Sequence, residues 1–281
     1  MEKAREVTLV RGLVGAAHQA GKLVGLVPTM GALHEGHMSL VRLARETCEF
    51  VVVSIFVNPL QFGPGEDFQR YPRRPEKDAA LCEQAGVDLL YTPGARDFYP
   101  SDFSTAVEVA DVSDGGEGAV RPGHFRGVAT VLTKIFLQVS PDLVVFGRKD
   151  LQRVAVVRRL VRDLDFAIQL VVGETVRDPD GVALSSRNSY LSPEDRQHAA
   201  AFPKALFATR AGAQRGERDP GALERDARRM LEAAGLAVDY VEVVNGNTMR
   251  RPPRIEPGSA LSAAICIGKT RLIDNVLLLE P

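Results

Sequence analysis

Lys22-Leu-Val-Gly-Leu-Val-Pro-Thr-Met-Gly-Ala-Leu-His-Glu-Gly-His-Met-Ser-Leu40 is the stretch on which the fold turns. Lys22 to Val27 is a short, nearly continuous apolar run and reads as a buried strand. A glycine-containing turn follows, and helical spacing begins near Gly36, with Leu40, Leu43, Ala44 and Thr47 at i, i+3, i+4 and i+7. A strand feeding a helix through a tight turn is the opening unit of a parallel α/β sheet. In such sheets ligands collect outside the carboxyl ends of the strands. A helix start at this point offers unpaired N–H groups and the positive end of the helix dipole, which together favour phosphate.

Working outward, Phe50 to Phe56, Val87 to Tyr91, Asp142 to Phe146 and Ala167 to Val172 read as further buried strands. Between them, Val128 to Val139 reads as a largely buried helix. Val154, Val157, Leu160, Val161 and Leu164 recur at helical spacing, with Arg158, Arg159 and Arg162 facing out. Apolar strands alternating with helices predict a doubly wound, Rossmann-like α/β domain with a parallel sheet covered on both faces, over residues 1–175. The texture then changes. Asp178-Pro-Asp-Gly181 is a turn cluster and Ser192-Pro-Glu-Asp195 a helix start with acidic first-turn residues. Charged helices continue to about Ala234, followed by strand-like runs at Asp239 to Val244, Ala263 to Ile267 and Leu272 to Leu279. These predict a smaller C-terminal α+β domain over 176–281. There is no internal repeat and no low-complexity tract.

Composition narrows the class. In 281 residues, 45% hydrophobic content points to a globular chain. The formal charge of -1, from 35 basic and 36 acidic residues, argues against a global grip on nucleic acid but leaves room for a small phosphate pocket. Cys48, Cys82 and Cys266 lie far apart with no C-x-x-C pair, so neither a disulfide framework nor a structural zinc site is expected. The amino terminus lacks the apolar core of a signal peptide, and Phe50 to Val57, interrupted by Ser54, is too short to span a bilayer. The expectation is a soluble cytosolic protein with no membrane or nucleic-acid partner and no protein-built metal site.

His34 and His37 are three residues apart at the strand-to-helix junction, so both imidazoles can face one bound group. Imidazoles donate hydrogen bonds to phosphate oxygens and carry protons near neutral pH. Gly31 and Gly36 leave space for a ligand near the backbone. The plainer alternative is a surface pair or a fortuitous metal pair; that two of the 5 histidines share the best phosphate-binding junction favours the functional reading. A second candidate, Phe146-Gly-Arg-Lys-Asp-Leu-Gln152, again runs from a strand end into a helix. Lys149 can neutralise phosphate charge, while Asp150 either holds ribose hydroxyls or caps the helix. A third, Ala183-Leu-Ser-Ser-Arg-Asn188, offers Ser185, Ser186 and Arg187 to a triphosphate. No G-x-x-x-x-G-K-[ST] loop occurs. The H-x-G-H pattern after a strand resembles the nucleotidyl-transfer superfamily that includes class I aminoacyl-tRNA synthetases and small adenylyl- and cytidylyltransferases.

Six segments in order, Val27-Pro-Thr-Met-Gly-Ala-Leu-His-Glu-Gly-His37, Ser54-Ile-Phe-Val-Asn-Pro-Leu-Gln-Phe62, Arg121-Pro-Gly-His-Phe-Arg-Gly-Val128, Phe146-Gly-Arg-Lys-Asp150, Leu184-Ser-Ser-Arg-Asn188 and Arg271-Leu-Ile-Asp-Asn275, resemble the pantoate–β-alanine ligase (pantothenate synthetase) family. The resemblance runs from about residue 22 to 280. It implies an enzyme that condenses pantoate with β-alanine using ATP and Mg²⁺, through a pantoyl adenylate, and that is usually a homodimer. It implies ATP contacts from Pro28, Thr29, Met30, Gly31, Ala32, Leu33, His34, Glu35, Gly36 and His37, with His37 as proton donor and His34 on phosphate. Further ATP contacts are implied for Gly147, Arg148, Lys149, Asp150, Val176, Leu184, Ser185, Ser186 and Arg187. Gln61 matches the glutamine that binds pantoate beside the β-alanine site; packing alone is its plainer role. His34, His37, Lys149, Ser186 and Arg187 are then the donors that meet charge developing on the phosphates, each worth about 3 kcal/mol by comparison with oxyanion-hole deletions.

One position departs from the family pattern K-D-x-Q-Q. Here Lys149-Asp-Leu-Gln-Arg153 places Arg153 at a pantoate-binding position. It either pairs with the substrate carboxylate or folds back on Asp150 one turn away. Weakened but retained pantoate affinity is expected. The polar stretch Asp111-Val-Ser-Asp-Gly-Gly-Glu-Gly118 before Arg121 reads either as a lid over a water-sensitive intermediate or as an ordinary surface loop. Two other functions remain open on the sequence: a nucleotidyltransferase that stops at an adenylylated product, and a nucleotide-binding regulator with a decayed site.

Overall fold

A computed structural model describes residues 1–280. In chain order the elements are β1 (Glu2–Ala4), α1 (Val7–Gln19), β2 (Val24–Thr29), α2 (Glu35–Arg45), β3 (Phe50–Ile55), α3 (Pro75–Gln84), β4 (Leu89–Tyr91), α4 (Ala95–Phe98), α5 (Gly116–Val120) and α6 (His124–Val139). They continue with β5 (Leu143–Gly147), α7 (Leu151–Asp163), β6 (Gln169–Gly173), α8 (Pro193–His198), α9 (Ala201–Gln214), α10 (Pro220–Ala233), β7 (Ala237–Asn245), β8 (Ser259–Ile267) and β9 (Thr270–Leu277).

Strands β1 to β6 form one parallel sheet in the order β1-β4-β3-β2-β5-β6. The β2 strand lies between β3 and β5, so the direction of winding reverses at its edge. Ligands in open α/β sheets bind at this switch, outside the carboxyl ends of the strands. The turn leaving β2 therefore occupies the position that the sequence reading requires. Alternation along the strands sends Val27, Val51, Val53, Leu90, Leu143 and Val145 into one core with Met38, Val41 and Ala44 of α2 and Cys82 of α3. On the opposite face Tyr91 donates from its hydroxyl to Gln138 Oε1 of α6 at 2.8 Å. Burial pushes the Cys82 thiol up to about 11, which suits a core side chain rather than a nucleophile.

Several boundaries differ from the sequence reading. The strand read at Lys22 to Val27 is β2, which begins at Val24 and continues through Pro28 and Thr29, because these pair in register with Ser54 and Ile55. The α6 helix starts at His124 rather than near Val128, and Leu164 lies beyond α7, exposed. The α1 and α3 helices go beyond that reading, although Val10, Val14 and Ala17 of α1 carry helical spacing and are buried.

Strands β7, β8 and β9 form a separate antiparallel sheet. Leu206 of α9 and Leu231 of α10 join Leu261 and Ile265 of β8 in its core, all fully buried. Each such side chain stabilises the fold by about 1.5–3 kcal/mol relative to exposure. No helix among the described residues is long and apolar enough to cross a membrane.

The chain divides into two compact units: residues 1–109, 121–147 and 157–174 in the first, and 110–120, 148–156 and 175–281 in the second. This division assigns the short segments 110–120 and 148–156 to the second unit, and buried polar bonds join the two segments to each other. Gln152, on α7, donates from Nε2 to the carbonyls of Val112 at 3.0 Å and Gly115 at 2.8 Å, and its Oε1 accepts from Glu117 N at 2.9 Å. Glu117 is itself buried, with Arg271 Nη1 donating to its Oε2 at 2.8 Å and Arg271 Nη2 2.7 Å from its Oε1. The glycine-rich stretch is thus bonded into the second unit. Gln152→Ala would remove its bonds to the Val112 and Gly115 carbonyls and to Glu117 N, costing about 2–3 kcal/mol. Urea denaturation should register that loss, with faster amide exchange at Glu117; unchanged exchange there would contradict the anchoring role.

Candidate active site

The turn leaving β2 is held by polar bonds at each step. Thr29 Oγ1 donates to Ser54 O at 2.9 Å and accepts from Gly31 N at 3.2 Å. Gly31 and Ala32 then take left-handed conformations, with φ of 84° and 50°. At Gly31 a Cβ would meet Asp78 Oδ2 and Ile55 Cγ2, each at 3.0 Å, so glycine answers both the φ and the space. Asp78, 2% exposed, supports the turn from α3. Its Oδ2 accepts from Ala32 N at 2.9 Å and its Oδ1 from Leu33 N at 2.8 Å.

The next residues form a capping box built from imidazoles. His34 is the N-cap of α2, and its Nδ1 accepts from Gly36 N at 3.2 Å. His37 Nδ1 accepts from His34 N at 3.3 Å, and the two rings lie 4.1 Å apart between centroids. An amide N–H can only donate, so each Nδ1 must accept, which assigns the ring proton of the neutral imidazoles to Nε2. This corrects one expectation about the junction. The amides of Ala32, Leu33, His34 and Gly36 are engaged by protein acceptors, so the imidazole Nε2–H groups, rather than these amides, are the donors suited to an anion. Glu35 is exposed and pairs with Arg42 on the outer side of α2.

Gln61 closes a 3-10 turn, Pro59–Gln61, and is buried. Its Nε2 donates to Met30 Sδ at 3.0 Å, joining it to the turn after β2. Its Oε1 accepts from Asn58 Nδ2 at 3.2 Å, while Asn58 Oδ1 accepts from Leu60 N and the Tyr99 hydroxyl. The Gln61 carbonyl accepts from His124 Nδ1 at 2.8 Å and Arg121 Nη2 at 3.3 Å. Arg121 also forks onto both oxygens of Glu66, at 2.8 and 2.7 Å. Burial alone would raise the Glu66 carboxyl, but the bonds and charge of Arg121, a backbone hydrogen bond at Gly63 and the His124 ring together outweigh it and hold the group below its ordinary value. At Gly127 of α6 a Cβ would lie 2.2 Å from Leu60 O, so only glycine allows this approach. The first unit therefore brings His34, His37, Met30 and Gln61 onto one bonded framework.

The second unit carries most of the remaining candidates. Gly147 ends β5, and Arg148–Asp150 forms a 3-10 turn before α7. Arg153 Nη2 lies 3.3 Å from Asp150 Oδ1, so the two side chains are in contact one turn apart. Val176 O accepts from Leu184 N at 2.9 Å, closing a hairpin that delivers Ser185, Ser186 and Arg187. Ser185 Oγ accepts from Arg187 N at 3.2 Å and caps the short helical turn Ser186–Tyr190. Among the described residues no cluster of three or more His, Cys, Asp or Glu side chains could hold a metal ion.

The profile of the family described as "Pantoate-beta-alanine ligase" matches residues 2–277. The chain belongs to the pantoate–β-alanine ligase family. It is 49% identical over 282 residues to a pantothenate synthetase of Rhizorhabdus wittichii, covering 100% of this chain and 99% of that one. The crystal structure of pantothenate synthetase from Thermus thermophilus matches with a TM-score of 0.93 at 45% identity, over 99% of this chain and 100% of that one. The structure of pantoate–β-alanine ligase from Francisella tularensis, complexed with "Beta-gamma ATP and Beta-alanine", matches at a TM-score of 0.82 and 31% identity, over 99% of this chain and 98% of that chain.

Within this ligase fold, Asp78 is the residue that motif reading passed over. Pro75-Glu-Lys-Asp78 looks like any acidic helix start. Only the folded turn shows both carboxylate oxygens committed to Ala32 and Leu33. Asp78→Ala would strand two buried amides, lowering stability by about 2–4 kcal/mol, and the slack turn should cut ligase turnover by on the order of tenfold or more. Asp78→Asn, which keeps one acceptor, should recover part of both. Thermal denaturation and steady-state rates test this, and an Ala variant as active as the parent would contradict it.

Proposed function

We propose that this chain condenses pantoate with β-alanine, using ATP, to give pantothenate, AMP and pyrophosphate through a pantoyl adenylate. The observation that carries the reading is the His34–His37 capping box, which sets two Nε2–H donors at the sheet's switch point, on the framework that also holds Gln61. The bound "Beta-gamma ATP and Beta-alanine" of the Francisella tularensis relative supports the same substrates here.

In the first step a pantoate carboxylate oxygen attacks the α-phosphorus of ATP, and the bond to the β-phosphate oxygen breaks. Pyrophosphate leaves with the bonding pair. In the second, the β-alanine amine attacks the acyl carbon, AMP departs, and the amine loses a proton. Charge grows on the phosphate oxygens in the first step, where prearranged donors act most strongly. His34 is assigned to phosphate and His37 to proton donation, as the family resemblance implies. The Met30 to His37 turn, Gly147 to Asp150, Val176 and Leu184 to Arg187 are assigned to ATP. Lys149, Ser186 and Arg187 neutralise its phosphates. Gln61, carrying both a donor and acceptors, suits the hydroxyl and carboxylate oxygens of pantoate. No residue of this chain is assigned to Mg²⁺; bound together with ATP, it would neutralise phosphate charge alongside Lys149, Ser186 and Arg187. The resemblance further implies a homodimer, and the sequence features set out above support a cytoplasmic location.

Pyrophosphate release with ATP and pantoate, with and without β-alanine, tests the overall reaction. Pantoate labelled with ¹⁸O in its carboxylate should pass one label to AMP; unlabelled AMP would rule out the adenylate. His37→Ala should lower kcat by about 10²–10³. Arg153 departs from the family's glutamine and leans on Asp150, so Arg153→Gln should lower the KM for pantoate. A higher KM would remove the idea that Arg153 weakens pantoate binding.

A further inference from the structure

Two adjacent side chains on β9 hold the two downstream segments assigned to ATP. Asp274, 3% exposed, receives a fork from Arg177, with Nη1 donating to Oδ2 at 2.6 Å and Nη2 to Oδ1 at 2.8 Å. Arg177 Nη2 also donates to Asn275 O at 3.1 Å, and Nη1 to Gly181 O at 3.0 Å. Arg177 pairs with Ala183 across the hairpin that ends in Leu184 to Arg187. Asp274 therefore fixes that hairpin, and through it Ser186 and Arg187, against the strand.

The next residue holds the other segment. Asn275 Nδ2 donates to the carbonyls of Arg148 and Lys149, each at 2.9 Å. Asn275 is 3% exposed, and its Oδ1 is buried with no hydrogen-bond partner among the described residues. Leaving a buried acceptor unpaired costs free energy, so packing alone does not account for this amide. A flipped amide would set Oδ1 against two carbonyl oxygens, which fixes the orientation with both N–H groups on the turn. Successive side chains leave a strand in opposite directions, which lets one dipeptide reach two segments far apart in sequence.

The geometry points to Asp274 and Asn275 as positioning residues for the ATP-handling groups. Asn275 sets the backbone that carries Lys149, and Asp274 the hairpin that carries Ser186 and Arg187. Neither side chain is assigned a contact with substrate. The inference rests on the role proposed above for Lys149 in ATP chemistry.

A double-mutant cycle between Asn275 and Lys149 tests it in the full-length protein, reading kcat, the KM for ATP, the KM for pantoate and Tm. Asn275→Ala should reduce kcat/KM for ATP by on the order of tenfold to a hundredfold, as expected of a group displaced by about an ångström. The KM for pantoate should stay within about twofold. In a Lys149→Ala background the same substitution should cost much less, because the two act as one unit. Equal losses in both backgrounds, or a lowered Tm with unchanged kinetics, would overturn the positioning role. Wild-type rates in Lys149→Ala alone would instead overturn the assignment of Lys149 itself. Should Asn275→Ala fail to fold, Asn275→Ser and Arg177→Lys are read by kcat/KM for ATP under the same criteria. Arg177→Lys keeps the charge but not the fork, so full activity there would overturn the Asp274 half of the inference.

Discussion

The carboxylate of Asp78 lies beneath everything that the amino-terminal turn does. Gly31 and Ala32 are both left-handed, and for Ala32 that conformation is costly by itself. It persists because Asp78 offers an oxygen to each of the next two amides, in a place closed to water. With the turn so held, the chain enters α2 with His34 at the N-cap position. The capping box then dictates which nitrogen of each imidazole carries the proton. A buried carboxylate on one helix thereby controls the donor pattern at the start of another.

The same pattern recurs through the molecule, with buried polar side chains bonded to the backbone groups of loops. Asn58 ties Gln61 to α6, and Gly127 allows that helix to rest on the Leu60–Gln61 peptide. Gln152 holds the glycine-rich segment from Val112 to Glu117. Asn275 holds the Arg148–Lys149 turn. Loops carry function but lack a regular ladder to satisfy their amides and carbonyls. Fixing them without rigid secondary structure requires donors and acceptors brought from elsewhere. This explains why amide and carboxylate side chains appear beside the candidate groups without themselves having reactive chemistry.

Arg153 shows how a local rule can outlast a change in family pattern. With a charged side chain in place of glutamine, the nearest available partner is Asp150 at helical spacing, and the side chain folds onto it. Both groups are partly exposed, so the pairing is weak and open to competition from a charged substrate.

Strand and helix periodicity, the glycine-bearing turn and the order of six motifs were readable from the chain alone, because each depends on residues close in sequence. These carried the parallel sheet, the second α+β unit, and His34 and His37 at a strand end. Motif resemblance also drew attention to Arg121–Val128 and Arg271–Asn275, but gave them no role. Only the folded structure showed His124 and Arg121 on the Gln61 carbonyl, Asp78 under Ala32, and Asp274 and Asn275 gripping two distant segments. Those roles rest on hydrogen bonds between residues far apart in the chain, and no local spacing encodes which acceptor a buried side chain will meet. The sequence determined which elements form and where the chemistry-bearing residues sit along them. Tertiary packing alone decided which amides remained available, which nitrogen of each imidazole bears its proton, and which polar residues serve as supports.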